Sequence, residues 1–406
     1  MTGDLAPRPD ADAGGRPVLG HRPSQPLADR IRRRIREAGP IPFAAFMEAA
    51  LYDPDEGFYA RPPVGERGAY VTAPHVAPAF GDLLTRQLLR MRDALGATQP
   101  FHVIELGAGD GTLARQVLSA MPEDVARSVR YLAVERSPGA REQLTRLAAT
   151  HGTAATLEVT DRLGDLPPVT GCVLANELLD NLPFHRLRGT GDGAEELYVT
   201  LDGDAFVLTP GPLSPDLRRA IGDLEGPDVR VQLPAGQESV VSPAALAFVD
   251  AAVRTLDRGY VVLIDYAAEG DQPAGIVHGY RRHRVEEDVL SAPGTRDITA
   301  GVDFGAMAHR AVRAGCRVWG PTTQRDLLLN LGFREWDAAW LERQVEAAAE
   351  RRGIESMRIY SMRSRATLLI DPAALGSFQV LCAGVGDVPE PTEMRERTRR
   401  AGPARW

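Results

Sequence analysis

The 406-residue chain contains no lysine, so all 47 of its basic residues are arginine. That absence excludes a lysine Schiff base, a pyridoxal-phosphate lysine and the lysine of a Walker A phosphate loop. Cysteine is nearly as scarce. Cys172, Cys316 and Cys382 lie far apart, form no C-x-x-C pair and sit in apolar settings such as Gly171-Cys-Val-Leu174. They read as buried core thiols, which argues against a zinc cluster or a disulfide framework, and no metal site is expected. No apolar run approaches the ~20 residues of a membrane span, so no membrane insertion is expected. Residues 1–26 contain Asp4, Asp10 and Asp12 and lack an apolar signal region, and read as a disordered tail. The expected location is the cytoplasm. With a net charge of −8, the chain has no electrostatic reason to seek nucleic acid. The basic run Arg30-Ile-Arg-Arg-Arg-Ile-Arg36 reads as the solvated face of a helix.

What the chain does have is an apolar strand that runs into glycines, Phe101-His-Val-Ile-Glu-Leu-Gly-Ala-Gly-Asp-Gly-Thr-Leu113. A strand, a glycine turn and a helix commonly hold a dinucleotide pyrophosphate on bare backbone amides. Here the spacing is Gly107-x-Gly109-x-Gly111, and Glu105 and Asp110 flank the place of a phosphate. Like charges at that range repel. A ligand with an ammonium group and no phosphate removes the conflict, and S-adenosylmethionine is such a ligand. A tight strand-to-helix turn is the plain alternative. Downstream, Val129-Arg-Tyr-Leu-Ala-Val-Glu135 reads as a second strand and sets Glu135 about 20 residues past the glycines, where an acid meets ribose hydroxyls. The expected cofactor set is therefore Glu105, Gly107, Gly109, Asp110 and Glu135.

Further along, apolar strands at Thr156–Val159, Cys172–Ala175 and Tyr260–Asp265 alternate with helical segments. That pattern predicts an α/β, Rossmann-like, mainly parallel sheet covered on both faces. Residues 27–100 predict an N-terminal helical cap with a turn-rich lid loop, and 101–386 the main domain. Short alternating runs predict an inserted β-hairpin region at about 195–234. Ser377–Ala383 reads as the last strand, and 387–406 as a polar tail.

The whole pattern from Ile41 to Gly386 resembles the MidA-like, or complex I assembly factor 7, methyltransferases. The resemblance rests on Gly57-Phe-Tyr59, Gly68-Ala-Tyr-Val-Thr-Ala-Pro74, Glu105-Leu-Gly-Ala-Gly-Asp-Gly-Thr112, Asn176-Glu-Leu-Leu-Asp-Asn-Leu-Pro183, Asp265-Tyr266, His278-Gly-Tyr-Arg-Arg-His283 and Pro293-Gly-Thr-Arg-Asp-Ile-Thr299. It implies a class I fold, S-adenosyl-L-methionine as cofactor, and arginine of a protein as methyl acceptor, with a tie to respiratory assembly. It also implies an acid near adenine, where Asp161, just past its strand, is preferred to Glu158 inside it. Two positions depart from the family pattern: Ala69 stands where an Asp is common, and His75 where a Glu is common.

Asn176, Glu177, Asp180 and Asn181 follow the fourth strand, at the carboxyl edge where ligands of open α/β folds bind. Asn176 joins the cofactor set. Carboxylates there can hold a guanidinium through paired hydrogen bonds, so Glu177 and then Asp180 are the candidate clamp. Asp180 equally suits the cap of a helix starting near Leu182-Pro183. His283 is a candidate base or substrate contact, with a structural role for it and for His278 as the alternative; Asp297 and Asp303 mark a substrate-side loop or cap it. Three functions stay open: methylation of protein arginine, methylation of a small molecule or peptide natural product, and a cofactor-binding assembly factor acting as a scaffold. An oligomer is compatible with all three.

Overall fold

The computed structural model describes residues 26–60, 72–164, 167–225, 233–268, 276–281 and 284–395. The expected N-terminal tail, most of the lid loop (61–71) and His283 lie outside the described residues.

Seven apolar segments build the central sheet: β1 (Phe101–Leu106), β2 (Val129–Val134), β3 (Thr156–Thr160), β4 (Val169–Asn176), β5 (Leu256–Asp265), β6 (Arg317–Thr323) and β7 (Gln379–Val385). Their order is β3-β2-β1-β4-β5-β7-β6. β1 to β5 pair in parallel, and β7 runs antiparallel to both of its neighbours. The central strands are buried on both faces, which is why they read as continuous apolar runs instead of alternating ones. Two apolar clusters cover the two faces, one around Phe80, Leu83 and Tyr131, the other around Val249, Phe304 and Met307. The strand order reverses beside β1 and β4, and a crevice at their carboxyl ends follows from that reversal.

The N-terminal cap starts with α1 (Leu27–Ala38) and α2 (Phe43–Tyr52). Leu27, Ile31 and Ile35 recur every four residues and are buried, as one helix face requires. The arginines between them point outward. Arg30 pairs with Asp53 at 2.5 Å, and Arg32 lies 5.2 Å from the Phe206 ring. The solvated face thus also fastens the cap to its neighbours.

The insertion is wider than the expected 195–234. Strands His185–Gly189, Ala194–Asp202, Ala205–Gly211 and Glu238–Val241 join Ile41–Pro42 of the cap in a five-stranded antiparallel sheet. A three-stranded sheet (Val277–Arg281, Arg284–Glu286, Asp297–Ala300) closes the same side. Two antiparallel helices not anticipated from sequence, α5 (Phe333–Ala349) and α6 (Gly353–Ala366), pack beside the core; the labels α3 and α4 belong to Ala73–Val76 and Thr112–Ala120. In the expected C-terminal tail, Val388 and Met394 are buried in the main core, so 387–395 belongs to the packed structure.

Candidate active site

β1 ends at Leu106 and the chain turns into α4 through Gly107, Gly109 and Gly111, all at positive φ. At Gly109 a side chain would meet nothing within 4 Å, so the missing Cβ leaves open space facing a ligand. Around this turn the expected acids converge. Glu105 is 4% exposed, accepts the Tyr131 hydroxyl at 2.7 Å, and is pushed up to about 8 by burial, with Glu135 and Asp110 adding to the rise. Glu135 accepts the backbone N–H of Gly109 at 2.8 Å and of Ser137 at 2.7 Å; its burial lifts it above the usual carboxylate range. Burial alone would also raise Asp110, but the hydrogen bond and charge of His75, 2.9 Å away, bring it below its ordinary value.

These groups line a cavity of about 430 Å3, within the size range of small-molecule sites. Asp161 lies on its wall, while Glu158 points out toward Arg130 at 4.0 Å. Leu163, Phe248 and Ala251 add apolar lining. The same cavity is lined by Asn176, Glu177 and Asn181, by Tyr52 and Tyr59 of the cap, and by Thr72 and His75 of α3 and its cap. The turn-rich Tyr52–Tyr59 segment, expected from its density of aromatics and glycines to form part of a lid over a pocket, thus brings both tyrosines into the cavity wall, although neither is singled out from sequence as a site residue. Tyr52 donates to the Asn181 carbonyl at 3.0 Å and Tyr59 to Asp297 at 3.0 Å, and their rings stack at 5.4 Å. His75 had been noticed only as a departure from the family pattern. It bridges Thr72 (2.8 Å) and Asp110 (2.9 Å).

Glu177 has φ +51°, a left-handed conformation uncommon outside glycine. Its carboxylate accepts the Ala73 N–H at 2.7 Å and the Asn176 side-chain amide at 3.1 Å, and burial pushes it up to about 7. Asp180 is placed differently. It lines a separate cavity of about 60 Å3 with Phe184, Val240 and Met307, accepts the Thr299 hydroxyl at 2.7 Å, and is pushed up to about 6 by burial. The structure therefore does not bring Asp180 to the cavity that Glu177 lines. The helix that Asp180 was expected to cap is also absent from the described residues: Leu179–Asn181 is one 3-10 turn and a strand begins at His185. That turn is capped instead by Asp265, fully buried, which accepts N–H bonds from Leu178, Leu179 and Asp180. Asp303 caps the helix Phe304–Arg313, accepting Ala306 N–H at 2.9 Å. Asp297 is buried between Tyr59 and Asn181 and lies well above the usual range, from burial and from Asp180.

The cavity fits the methyl donor on two observations. Asn176 Oδ1 is buried with no hydrogen-bond partner, an acceptor suited to an incoming N–H group. Three carboxylates, Glu105, Asp110 and Glu135, face one another around an open glycine turn, and a cation relieves their repulsion where a phosphate would worsen it.

Fold and cavity together define a class I methyltransferase. The profile of a family of S-adenosyl-L-methionine-dependent methyltransferases matches residues 83–322, more than half of the chain, and the chain belongs to that family. The mitochondrial protein arginine methyltransferase NDUFAF7 of Rattus norvegicus is 29% identical over 336 residues, covering 76% of this chain and 74% of the relative. Its Drosophila melanogaster homologue is 27% identical over 401 residues, covering 91% and 86%. A Burkholderia thailandensis crystal structure bound to S-adenosyl-homocysteine is 30% identical, with a TM-score of 0.74 over 88% of this chain and 91% of that one.

Proposed function

We propose that this methyltransferase acts on an arginine side chain of a protein, and that Glu177 holds the guanidinium. The observation that carries the reading is the half-buried Glu177, held at positive φ in the wall of the cofactor cavity that Tyr52, Tyr59 and Asn181 also line. The names of the rat and fruit-fly relatives, both protein arginine methyltransferases, support it.

In this reading the glycine turn, Glu105, Glu135, Asp161 and Asn176 hold the cofactor, which when bound supplies a methyl group already activated by its sulfonium. The protein contributes placement. Ala73 N–H and the Asn176 amide fix one oxygen of Glu177, leaving its other oxygen to orient an acceptor N–H. A guanidinium titrates at roughly 12.5 to 13.8, so the attacking nitrogen sheds its proton as the new N–C bond forms. Glu177, raised to about 7, is matched to receive it near neutral pH.

The test is transfer of tritiated methyl from S-adenosylmethionine into lysate protein, followed by acid hydrolysis and chromatography. Label should appear in methylarginine; label confined to small metabolites would sink the protein-arginine reading. Glu177→Gln should bind S-adenosyl-homocysteine within about threefold of wild type yet lower the transfer rate by roughly 100-fold or more. Full transfer by that variant would remove Glu177 from its role.

A further inference from the structure

Of the nine large apolar side chains exposed among the described residues, five lie on the α5–α6 hairpin: Leu341, Val345, Ile354, Met357 and Tyr360, between 44% and 74% exposed. Such a concentration marks an interaction surface rather than scattered surface residues. The contacts between the helices fix which way it faces. Ser356 donates to the Gln344 carbonyl at 3.2 Å, and Arg363 pairs with Asp337 at 2.8 Å, so residue 344 is level with 356 and 337 with 363. At 100° per residue, the stripe Leu341-Val345-Ala348 on α5 and the stripe Met357-Tyr360 on α6 both continue outward from that contact line on the side away from the core. They form one apolar strip along the hairpin.

The rims of this strip carry opposite charge. Glu342 and Glu346 flank it on the α5 side, and Arg358 on the α6 side, all exposed. The same register puts 342 level with 358. We infer that the strip is the dimer interface of this chain, with a second copy packed through a two-fold axis parallel to the two helices. That axis lays α5 of one copy over α6 of the other without a shift along the helices. It sets Glu342 of each copy opposite Arg358 of the other, and apolar strip on apolar strip. A two-fold axis across the helices would instead stack α5 on α5, with glutamate facing glutamate. The charge pattern therefore selects an isologous, self-complementary pairing. The hairpin also touches the active site, since Arg365 of α6 donates to the His75 carbonyl at 2.7 Å.

Sedimentation equilibrium of the full chain at micromolar concentration tests the inference. The expected mass is twice the 43.9 kDa of one chain. Met357→Glu with Val345→Glu should give a monomer that still binds S-adenosyl-homocysteine, which shows that the fold is intact. Glu342→Arg or Arg358→Glu alone should weaken dimerisation about tenfold, and the two together should restore it to within about threefold. A wild-type monomer at tens of micromolar overturns the inference, as does a dimer that the Met357/Val345 variant leaves intact or a double charge swap that fails to restore pairing.

Discussion

At the residue scale the site is governed by what burial does to carboxylates. Glu105 titrates near 8 in the folded chain against an ordinary 4.5. The folded state thus keeps a proton that the unfolded state has lost, and between those two values Glu105 makes the ligand-free protein less stable as pH rises. A cation bound beside Glu105 reverses its preference. At pH 7 the carboxyl is mostly protonated, so binding the ammonium group of S-adenosyl-homocysteine should expel close to one proton from it. Calorimetry in two buffers of different ionisation enthalpy measures that release. Glu105→Gln should bind more weakly and release about one proton fewer; equal release by the two proteins would show that Glu105 is already ionised or lies away from the ligand.

At the scale of elements, two glycines serve opposite purposes. Gly171 in β4 lies opposite His102 of β1, and a Cβ there would fall 2.1 Å from the His102 carbonyl oxygen, rigid backbone of the next strand. Gly171→Ala must therefore spread the centre of the sheet, at a cost of about 3 kcal/mol or more, read as a lower urea midpoint. Gly109→Ala meets open space but needs φ +56°, so it should cost only about 1 to 2 kcal/mol. Its methyl group enters the ligand's space, so cofactor affinity should fall far more than stability. If Gly109→Ala binds normally, the turn does not face the ligand. The turn itself was legible because its signal is local, an apolar strand, three glycines and two acids within a dozen residues. So were the central strands β1, β4 and β5, whose burial on both faces leaves near-continuous apolar runs. Less was legible where the signal is spread out. His185–Gly189 is a short run of His, Leu and Gly alternating with two arginines and carries no clear sign of widening the inserted sheet. α5 and α6 carry apolar residues both toward the core (Trp336, Ile359) and toward solvent (Val345, Met357), which blurs the one-sided period that marks a surface helix. Asp180 follows β4 only three residues after Glu177, and the 3-10 turn capped by Asp265 carries it to a different cavity.

For the molecule as a whole, the cofactor cavity is where separate parts of the chain meet. Tyr52 and Tyr59 come from the cap, Thr72 and His75 from the segment after it, Glu105 to Glu135 from the sheet, and Phe248 from the helix Pro243–Arg254. The cap is tied across this junction by Tyr52 to Asn181, Tyr59 to Asp297 and Arg136 to the Tyr52 ring at 4.5 Å. It also lends Ile41–Pro42 to the inserted sheet. Parts joined in this way should unfold together, and a ligand in the shared cavity should stabilise all of them by mass action. At 100 times its dissociation constant, S-adenosyl-homocysteine should add about 2.7 kcal/mol to the folded state. Differential scanning calorimetry should then show one transition that moves upward as a unit. A separate cap transition that ignores the ligand would mean that Tyr52 and Tyr59 stand outside the site.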